Sequence, residues 1–462
     1  MTMWCPDLEA ATRPKYVAIA DALARAIEQR ELAPGAQLPP QRDLARALSV
    51  TTGTVTRAYA EARKRGLVSG EVGRGTFVRT ASTEPDGLTF RHVELPDCIN
   101  LAHNAPHCGE AVLLEQPLTR WARSLARGAA FAYGCHAGPA RAREAGAAWL
   151  RQFGVDARAE EIAITCGAQH AILVALAATA GPGDVLLAEA LAYPGVKSAA
   201  RLLQLRVEGV ALDEHGMCPS ALARACRAAG PSARAVYLTP TAQNPTATVM
   251  PEARRREIAA IADEHGVIVI EDDTYGFLID GPPPLVNFAA SGSYYLTGLS
   301  KCMAPGLRVG FLRRAGRLED IEAILMASTV MASPVTADLA AELIEGGVAA
   351  ELVARRRAEA ARRQEYTRAV LGPWIADGVD PAAAHTWLLL PEPWRVAEFA
   401  TAARARGVAL AAADVFATGR APTPHAVRLS LGAERDEARL QQGIDVVAEL
   451  LAGRPVPAIA GP

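Results

Sequence analysis

Lysine is scarce in this sequence, and its placement singles out one amine. Only four of the 48 basic residues are lysines: Lys15, Lys64, Lys197 and Lys301. A lysine amine can condense with an aldehyde, whereas a guanidinium group cannot, so amine chemistry has four candidates. Lys301 alone follows a predicted strand, at 294–297. Two of the others belong to a basic N-terminal segment, and Lys197 is expected on a helix surface.

Other polar side chains also stand beside the ends of predicted strands. They are an amide, a carboxylate, a phenol and an arginine: Asn244 after 235–239, Asp272 and Tyr275 after 267–270, and Arg308 between 294–297 and 309–312. Each of them alone is typical of an ordinary turn. Because ligands of parallel α/β sheets bind beyond the carboxyl ends of the strands, their shared position predicts one binding site.

A short turn adds a candidate anion site. The apolar run 161–165 is followed by Cys166-Gly167-Ala168-Gln169 and then by a predicted helix over 170–180. Small residues at a helix start leave backbone N–H groups and the positive end of the helix dipole available for a phosphate.

One ligand would use this whole set of groups. Pyridoxal phosphate needs an amine for its aldehyde, helix-start amides and an arginine for its phosphate, a carboxylate for its ring nitrogen and donors for its phenolate. We therefore expect this cofactor, with Lys301 as the residue that holds it.

The elements that must position these groups form an α/β pattern. Short β-branched runs are predicted as strands at 161–165, 185–188, 235–239, 267–270, 294–297 and 309–312. Alanine-rich helices lie between them, among them Glu252–Glu264. The alternation predicts a mostly parallel sheet covered on both faces.

The first 80 residues have a different pattern. Helices are predicted at 16–30, at 41–48 and from about residue 51 to Gly66, followed by a two-stranded hairpin that ends at Val78. This order predicts a winged helix-turn-helix. The segment carries 12 basic and 8 acidic residues, whereas the remainder of the chain is net acidic, which favours an anionic partner for it.

The third helix and the hairpin hold the candidate DNA contacts. Thr52, Thr54 and Arg57 lie on the helix face opposite the predicted core, where they can reach base edges and phosphates. Arg42 is placed to meet the DNA backbone, and Arg74, at the wing tip, to enter a minor groove. The alternative is an ordinary solvated face on a small helical domain.

Composition limits the remaining possibilities. The chain of 462 residues is half apolar and 21% charged, which is typical of folded proteins of more than one domain. No apolar stretch is long enough to span a bilayer and no signal peptide is visible, so we expect a cytoplasmic protein without membrane contact. The eight scattered cysteines indicate neither a zinc site nor a disulfide framework, and no metal is expected.

Two resemblances sharpen these expectations. The segment GAQLPPQRDLARALSVTTGTVTRAYAEARKRGLVSGEVGRGTFV resembles the DNA-binding domain of the GntR family of bacterial regulators, over residues 14–79. Pro40 stands where that family usually has a serine helix cap. After a connector at 80–97, residues 98–450 resemble the fold type I aminotransferases. The fusion of the two resembles the MocR subfamily of GntR regulators.

The second resemblance implies a role for each matching residue. They are the Schiff-base lysine Lys301 with its neighbour Ser300, the phosphate-binding Arg308 and the turn Gly167, Ala168 and Gln169, the stacking Tyr193, the phenolate partners Asn244 and Tyr275, the ring-nitrogen carboxylate Asp272, the carboxylate-binding Arg428, and Tyr133, which reaches the site of a neighbouring subunit. The resemblance thereby also implies a homodimer.

Two departures from the family pattern concern turnover. Ala247 stands where the Asn-Pro-Thr motif usually ends in glycine, and Gly298 stands where a serine commonly contacts the phosphate. Neither removes a group that holds the cofactor, but both weaken the case for efficient catalysis.

Three functions remain open from the sequence. We expect a regulator that binds operator DNA and senses a small amino compound through external aldimine formation at Lys301. The alternatives are an aminotransferase with an accessory DNA-binding domain and a regulator whose large domain only dimerises.

Overall fold

A bundle of three helices with a hairpin forms the N-terminal part of the computed structural model. The model describes residues 4–6, 14–29, 31–32, 36–64, 67–71, 75–78, 98–106, 111–125, 131–290, 292–419 and 423–453. The N-terminal elements are α1 (Lys15–Glu28), α2 (Gln41–Ala47), α3 (Thr52–Lys64), β1 (Val68–Glu71) and β2 (Gly75–Val78). The predicted wing-tip residue Arg74 and the predicted connector 80–97 lie outside the described residues.

The apolar spacing of α1 and α3 builds the core of this part. Ile19 and Leu23 of α1 pack with Val55 and Tyr59 of α3, and all four are buried. The Tyr59 hydroxyl donates to the backbone oxygen of Pro39 at 2.8 Å, which fixes α3 against the start of α2. As expected for a proline at the helix start, α2 has no side-chain cap.

The remaining elements alternate between strands and helices. In chain order they are β3 (Ile99–Leu101), α4 (Ala111–Leu125), α5 (Ala140–Gln152), β4 (Ile162–Thr165), α6 (Ala168–Thr179), β5 (Val185–Glu189), α7 (Pro194–Leu202), β6 (Arg206–Val210), β7 (Leu212–Asp213), β8 (Gly216–Met217), α8 (Pro219–Ala229), β9 (Ala233–Leu238), α9 (Glu252–Glu264), β10 (Ile268–Asp272), β11 (Tyr294–Gly298), β12 (Gly310–Arg314), α10 (Glu319–Thr329), α11 (Pro334–Glu345), α12 (Val348–Leu371), β13 (His385–Leu389), α13 (Val396–Ala405), β14 (Val408–Ala412), β15 (Ala426–Ser430) and α14 (Glu437–Ala452).

The larger sheet is mixed but mostly parallel. Among the described residues it has seven strands in the order β4-β12-β11-β10-β9-β5-β6. Only β12 runs against its neighbours, as shown by its antiparallel pairing with both β11 and β4. Consequently the start of β12 lies at the same edge as the carboxyl ends of the other strands.

Helices cover both faces of this sheet, which explains its nearly continuous apolar strands. On one face, buried residues of α6, α7 and α10 pack against the sheet, among them Ile172, Val196 and Leu325. On the other face, residues of α5, α8, α9, α11 and α12 form a second core. No described helix has the length and apolar character that crossing a bilayer requires.

A second, four-stranded sheet has the order β13-β15-β14-β3. Its core includes Ile99, Leu101, Phe399 and Val427, together with residues of α14. The strand β3 pairs in parallel with β14 at its edge. The first strand after the predicted connector is therefore built into a sheet made otherwise of C-terminal strands.

Candidate functional site

The edge of the larger sheet collects the polar residues that the sequence singled out. Asp272 ends β10, Lys301 follows β11, and Gly167 stands between β4 and α6. Arg308 reaches the same edge for a different reason, because it immediately precedes the reversed strand β12. Arg428, by contrast, belongs to β15 in the smaller sheet, so the site lies between the two sheets.

The amine of Lys301 lies in an environment that favours its neutral form. Nζ donates a hydrogen bond to the backbone oxygen of Asn104 and lies 5.8 Å from the centre of the Tyr275 ring. Burial, the largest cause, and the charge of Arg428 together lower the pKa of this amine to about 8, against the opposite effect of the Asp272 carboxylate. A neutral amine is the nucleophilic form of lysine.

Asp272 is held by two donors at the end of β10. The Tyr237 hydroxyl donates to Oδ2 at 2.6 Å, and the Thr274 hydroxyl donates to Oδ1 at 2.6 Å. Burial raises the pKa of Asp272, whereas these hydrogen bonds and the charge of Lys301 lower it. The carboxylate is thereby oriented and remains close to the lysine amine.

The turn before α6 is shaped to receive an anion. Gly167 has φ +83°, and a Cβ there would lie 2.5 Å from Nη2 of Arg308. That guanidinium donates to the backbone oxygen of Cys166 at 3.1 Å and to the Ser300 hydroxyl at 3.3 Å. A helix start and an arginine thus face the same small space.

The backbone at Gly310 lies very close to the backbone of this turn. A Cβ on Gly310 would lie 2.6 Å from the backbone carbon of Gly167 and 3.0 Å from the nitrogen of Ala168. Glycine at position 310 permits this close approach, which the Cβ of any other residue would prevent. Gln169, the next residue of α6, donates from Nε2 to the backbone oxygen of Gly195 at 2.9 Å, which ties α6 to α7.

Arg428 lies buried beneath Asn244 and the end of β3. Its Nη1 donates to Oδ1 of Asn244 at 2.8 Å, and its Nη2 donates to the backbone oxygen of Ala102. The guanidinium stacks over Phe416, 4.9 Å from the ring centre. Burial lowers the pKa of Arg428 to about 10, and no carboxylate among the described residues forms an ion pair with this charge. An anionic ligand would supply that missing charge.

Two tyrosines complete the surroundings of the lysine. Tyr193 precedes the first residue of α7, and burial raises the pKa of its hydroxyl. Tyr275 is buried, and burial raises the pKa of its hydroxyl while the charge of Arg428 lowers it. Both phenols therefore stay protonated at neutral pH and are available as hydrogen-bond donors.

The groups present fit pyridoxal phosphate. Two buried polar atoms that face this region, Oε1 of Gln169 and Nε of Arg428, have no hydrogen-bond partner. The turn at Gly167 with the facing guanidinium of Arg308, the buried carboxylate of Asp272 and the lowered pKa of Lys301 match the phosphate, ring nitrogen and aldehyde of that cofactor.

Three residues at the site had no signal in the sequence. Asn104 follows β3, His385 begins β13, and Tyr237 lies within β9. His385 donates from Nε2 to the backbone oxygen of Gln243 at 2.9 Å and contacts the Asn104 amide through Nδ1 at 3.0 Å. Burial lowers the pKa of His385 to about 3, so this histidine stays neutral and orients Asn104.

Lys197 differs from its expected position on a helix surface. Its Nζ donates to the backbone oxygens of Val415 at 2.6 Å and Ala417 at 3.0 Å, so the lysine ties α7 to the segment after β14. The expectation was wrong because α7 borders a loop that is remote in sequence. The amine is engaged in hydrogen bonds with these two backbone oxygens.

The two departures from the family pattern have structural counterparts. Ala247 adopts φ +60°, a left-handed conformation that favours glycine. At Gly298, a Cβ would lie 3.3 Å from the backbone nitrogen of Ala168, so a side chain there would enter the anion turn.

Tyr133 lies apart from the other site residues of its own chain. It is 88% exposed, and the neighbouring Phe131 is 70% exposed. The structure does not bring Tyr133 to Lys301 within one chain.

The predicted DNA contacts that lie among the described residues differ in exposure. Thr52, Arg57 and Arg42 are exposed, and Thr54 is half-buried. The Thr51 hydroxyl accepts from the backbone nitrogen of Thr54 at 3.2 Å, which caps the start of α3. The cap leaves the first turn of α3 ordered at the protein surface.

The fold and the site define a class of protein: a winged helix-turn-helix domain joined to a fold type I domain that has the residue set for pyridoxal phosphate. Comparisons with known families agree. Residues 96–447 match the family "Aminotransferase class I and II", and residues 15–78 match "Bacterial regulatory proteins, gntR family". The chain therefore belongs to the class I and II aminotransferase family and carries a gntR DNA-binding domain, which is the MocR-type architecture.

Individual relatives share this architecture. The chain is 30% identical over 467 residues to the uncharacterized HTH-type transcriptional regulator YdeF of Bacillus subtilis, covering 97% of this chain and 96% of that protein. It is 26% identical over 434 residues to the uncharacterized HTH-type transcriptional regulator YdcR of Escherichia coli, covering 88% and 92%.

Solved aminotransferases share the fold of the larger part. The kynurenine aminotransferase of Pyrococcus horikoshii, solved with PMP, is 25% identical with a TM-score of 0.70, covering 80% of this chain and 96% of that one. LysN of Thermus thermophilus, an alpha-aminoadipate aminotransferase, is 25% identical with a TM-score of 0.68, covering 80% and 98%. The fold thus implies pyridoxal phosphate as the cofactor.

Proposed function

We propose that this protein is a DNA-binding transcriptional regulator that uses pyridoxal phosphate as the receptor for a small amino compound. One observation carries the proposal: a buried lysine amine with a lowered pKa lies beside a held carboxylate, an anion turn and an unpaired buried arginine, in a chain that also has a DNA-binding domain. The amine, carboxylate and arginine suit a ligand that carries both an amine and an acid group.

Each residue has a proposed role toward the cofactor. Bound pyridoxal phosphate supplies an aldehyde that condenses reversibly with primary amines and a ring that withdraws electrons. The proposed partners are Lys301 for the aldehyde, Gly167, Ala168, Gln169, Ser300 and Arg308 for the phosphate, Asp272 for the ring nitrogen, Asn244 and Tyr275 for the phenolate, and Tyr193 for the ring face.

Sensing would occur by exchange of the amine at the aldehyde. An amino compound would take the place of the Lys301 nitrogen at the aldehyde, and its acid group would bind Arg428, for which no carboxylate among the described residues serves as partner. Bidentate pairing with a carboxylate is the strongest interaction open to that guanidinium. A ligand changes DNA affinity only by binding two conformations of the protein unequally, and these two contacts supply such a difference.

The partners follow from the two parts of the chain. The domain at 14–79 would bind operator DNA, with Thr52, Thr54, Arg57 and Arg42 as contacts, together with Arg74. The domain at 98–450 would form a homodimer, in which the exposed Tyr133 reaches the site of the partner subunit. Two DNA-binding domains in one dimer suit a repeated operator.

The test is a titration of DNA binding with candidate amines. Purified protein should show a visible absorbance band, and borohydride should fix the cofactor to the peptide that contains Lys301. A standard L-amino acid or related amine should then change the affinity for the promoter fragment of the protein's own gene. Lys301→Ala and Arg428→Ala should fold but lose this response. An equal response in cofactor-free protein would contradict the proposal.

Amino transfer is a second candidate function. It is favoured by the held carboxylate of Asp272, which regulation by binding alone does not require. Mixing the protein with an amino donor and a keto acid distinguishes the two functions. Turnover of roughly 1 per second or faster would support an enzyme. Dimerisation alone as the role of the large domain would leave no visible band and no response to amines.

A further inference from the structure

The chain between the predicted connector and the larger sheet passes directly through the candidate site. After β3, the backbone oxygen of Ala102 accepts a hydrogen bond from Nη2 of Arg428, and the backbone oxygen of Asn104 accepts one from Nζ of Lys301. The side chains of Lys301 and Arg428 thus both donate to main-chain oxygens of one short segment, at residues 104 and 102. Hydrogen bonds from charged donors are about twice as strong as neutral ones, so these contacts fix the segment.

The same three residues are anchored firmly to their surroundings. Oδ1 of Asn100 accepts from the backbone nitrogens of Ala102 and His103, both at 3.1 Å, which forms a tight turn. The Asn104 side chain contacts His385 at 3.0 Å, so the turn is also attached to β13. A displacement at residues 102–104 therefore moves the end of β3.

β3 is the part of the large domain closest in sequence to the DNA-binding domain. Its residues pair with β14, and the backbone nitrogen of Ile99 donates to the oxygen of Gly407 at 2.7 Å. In the sequence, residues 79–98 separate β3 from β2, the last element of that domain. Among the residues of the candidate site, residues 102–104 are therefore separated from the DNA-binding domain by the shortest length of chain.

We propose that residues 102–104 transmit occupation of the cofactor site to the DNA-binding domain, and that Asn104 is the positioning residue whose backbone oxygen receives the released amine of Lys301. This inference rests on the proposed function and deepens it. When the aldehyde is bound to Lys301, Nζ is not available to Asn104. When an amino compound takes the aldehyde, the free amine binds the Asn104 oxygen.

The exchange of one amine for another at the aldehyde involves no oxidation or reduction. The aldehyde carbon of the cofactor changes its nitrogen partner from Lys301 Nζ to the incoming amine, and the protons that the incoming amine loses end on Nζ. At the same time the acid group of the ligand competes with the Ala102 oxygen for Arg428. The Ala102 oxygen thereby loses the Arg428 donor while the Asn104 oxygen gains the Lys301 donor. This exchange of donors shifts the segment.

The first experiment measures the segment itself. Holoprotein is mixed with the standard L-amino acid that changes its visible absorbance at the lowest concentration, and hydrogen–deuterium exchange is followed. We expect the peptide that contains residues 98–106 to change its exchange rate severalfold, while a peptide from α9 does not change. Unchanged exchange at 98–106, together with changed DNA affinity, would overturn the inference.

The second experiment alters the turn without touching the site. Asn100→Ala removes the acceptor that holds Ala102 and His103, whereas Asn100→Ser retains a weaker one. We expect Asn100→Ala to keep the visible band and its shift with the amino acid. The ratio of DNA dissociation constants with and without that amino acid should fall to below about twofold, from the 5- to 150-fold typical of coupled sites. Asn100→Ser should restore part of the ratio.

Asn287→Ala is the matched control. This asparagine also holds a backbone group through its side chain, donating to the Gly154 oxygen at 2.7 Å, at a contact that involves neither Lys301, Arg428 nor residues 102–104. The Asn287→Ala variant should keep the wild-type ratio of DNA dissociation constants with and without the amino acid. A wild-type ratio in Asn100→Ala would refute the transmission role alone. Absence of both the spectral shift and the DNA response in wild-type protein would refute the proposed function and the inference with it.

Discussion

Lys301 has a pKa that should govern how fast the cofactor is taken up. Because burial lowers the pKa of its amine to about 8 from an ordinary 10.5, the neutral form becomes abundant near pH 8. We expect the rate at which cofactor-free protein develops its visible band to rise with pH and to level off above about pH 8. Stopped-flow absorbance measures this rate.

A variant of Arg428 separates the causes of the low pKa of Lys301. Removing the Arg428 charge lifts one of the contributions that lower the lysine pKa, so Arg428→Gln should move the midpoint to higher pH. A midpoint near 10.5 in wild-type protein would show that the amine is not buried as described.

Asp272 should control reactivity at the cofactor without controlling its retention. Asp272→Ala removes the carboxylate proposed to face the ring nitrogen, while the turn at Gly167 and the Arg308 guanidinium stay in place. We expect any half-reaction with an amino acid to slow by about 100-fold or more, the lower end of what general acid–base groups contribute. The measurement is the rate of spectral change under single-turnover conditions, with bound cofactor quantified in parallel.

The control for this variant is Asp280→Ala. Asp280 is a largely exposed acid that pairs with Arg357 on the surface. It should leave the half-reaction unchanged. Equal rates in Asp272→Ala and wild-type protein would contradict the role given to this carboxylate.

At the scale of single residues, the sequence singles out candidates where chemistry restricts the residue type. Lys301, Asp272 and Arg308 were identified because a lysine among arginines and polar groups beside strands are rare combinations. Asn104 and His385 were not, because their contribution depends on contacts across 281 positions of sequence. Nothing in the local pattern around either residue indicates that partner.

The strand β12 should tolerate no side chain at its first residue. In Gly310→Ala the new Cβ would lie 2.6 Å from the backbone of Gly167, and backbone cannot move aside as a flexible side chain can. We expect a loss of roughly 1 to 3 kcal/mol in the free energy of unfolding, as for other overpacked positions. Cofactor affinity should fall as well. Thermal unfolding and cofactor release measure both effects.

Gly306→Ala provides the comparison. Gly306 lies in the turn just before this strand, and no atom lies within 4 Å of a Cβ built there. This variant should unfold at the wild-type temperature. Equal destabilisation of the two variants would mean that the close approach at Gly310 is not the cause.

The helix α3 should contribute to DNA binding through an exposed arginine. Arg57→Ala removes a cation from the outer face of this helix, while the buried Val55 and Tyr59 keep the fold. If Arg57 contacts a phosphate, affinity should fall and the salt dependence of log K should become shallower by about one unit. Fluorescence anisotropy with the promoter fragment at several salt concentrations measures both.

An exposed arginine of the large domain serves as the control. Arg317, with a side chain that is 89% exposed, lies between β12 and α10. Arg317→Ala should leave both affinity and salt dependence unchanged. If Arg57→Ala behaved in the same way, α3 would not be the DNA-contacting helix.

The elements of the larger sheet were predictable because buried parallel strands form short apolar runs. The prediction of 252–264 as a helix agrees with α9. Most ends of the predicted strands differ from the observed ends by one or two residues. The edge strand β6 was missed because its burial is low and its sequence, Arg206–Val210, is mixed. The smaller sheet was missed because β3 pairs with strands about 300 residues further along the chain.

At the scale of the whole molecule, the exposed aromatic residues before α5 are the candidate contact of the proposed dimer. Phe131 is 70% exposed and lies two residues from Tyr133. We expect Phe131→Asp to weaken the proposed dimer by at least tenfold, because a carboxylate would be buried without a partner in the interface. Sedimentation velocity over a range of concentrations measures the dissociation constant.

Leu202→Asp tests whether any exposed apolar residue would have this effect. Leu202 ends α7 and is 67% exposed, so the chemical change is similar at a different surface. It should remain as dimeric as the wild type. A monomeric Leu202→Asp with a dimeric Phe131→Asp would place the interface on α7.

The hydrogen bonds from Lys301 and Arg428 to the chain after β3 end on main-chain oxygens. Every amino acid supplies such an oxygen, so neither acceptor demands a particular residue at positions 102 or 104. Relatives that diverge there would keep both bonds, provided that β3 keeps its place beside β14. A survey of substitutions across the family would therefore overlook this connection, and only the path of the backbone would reveal it.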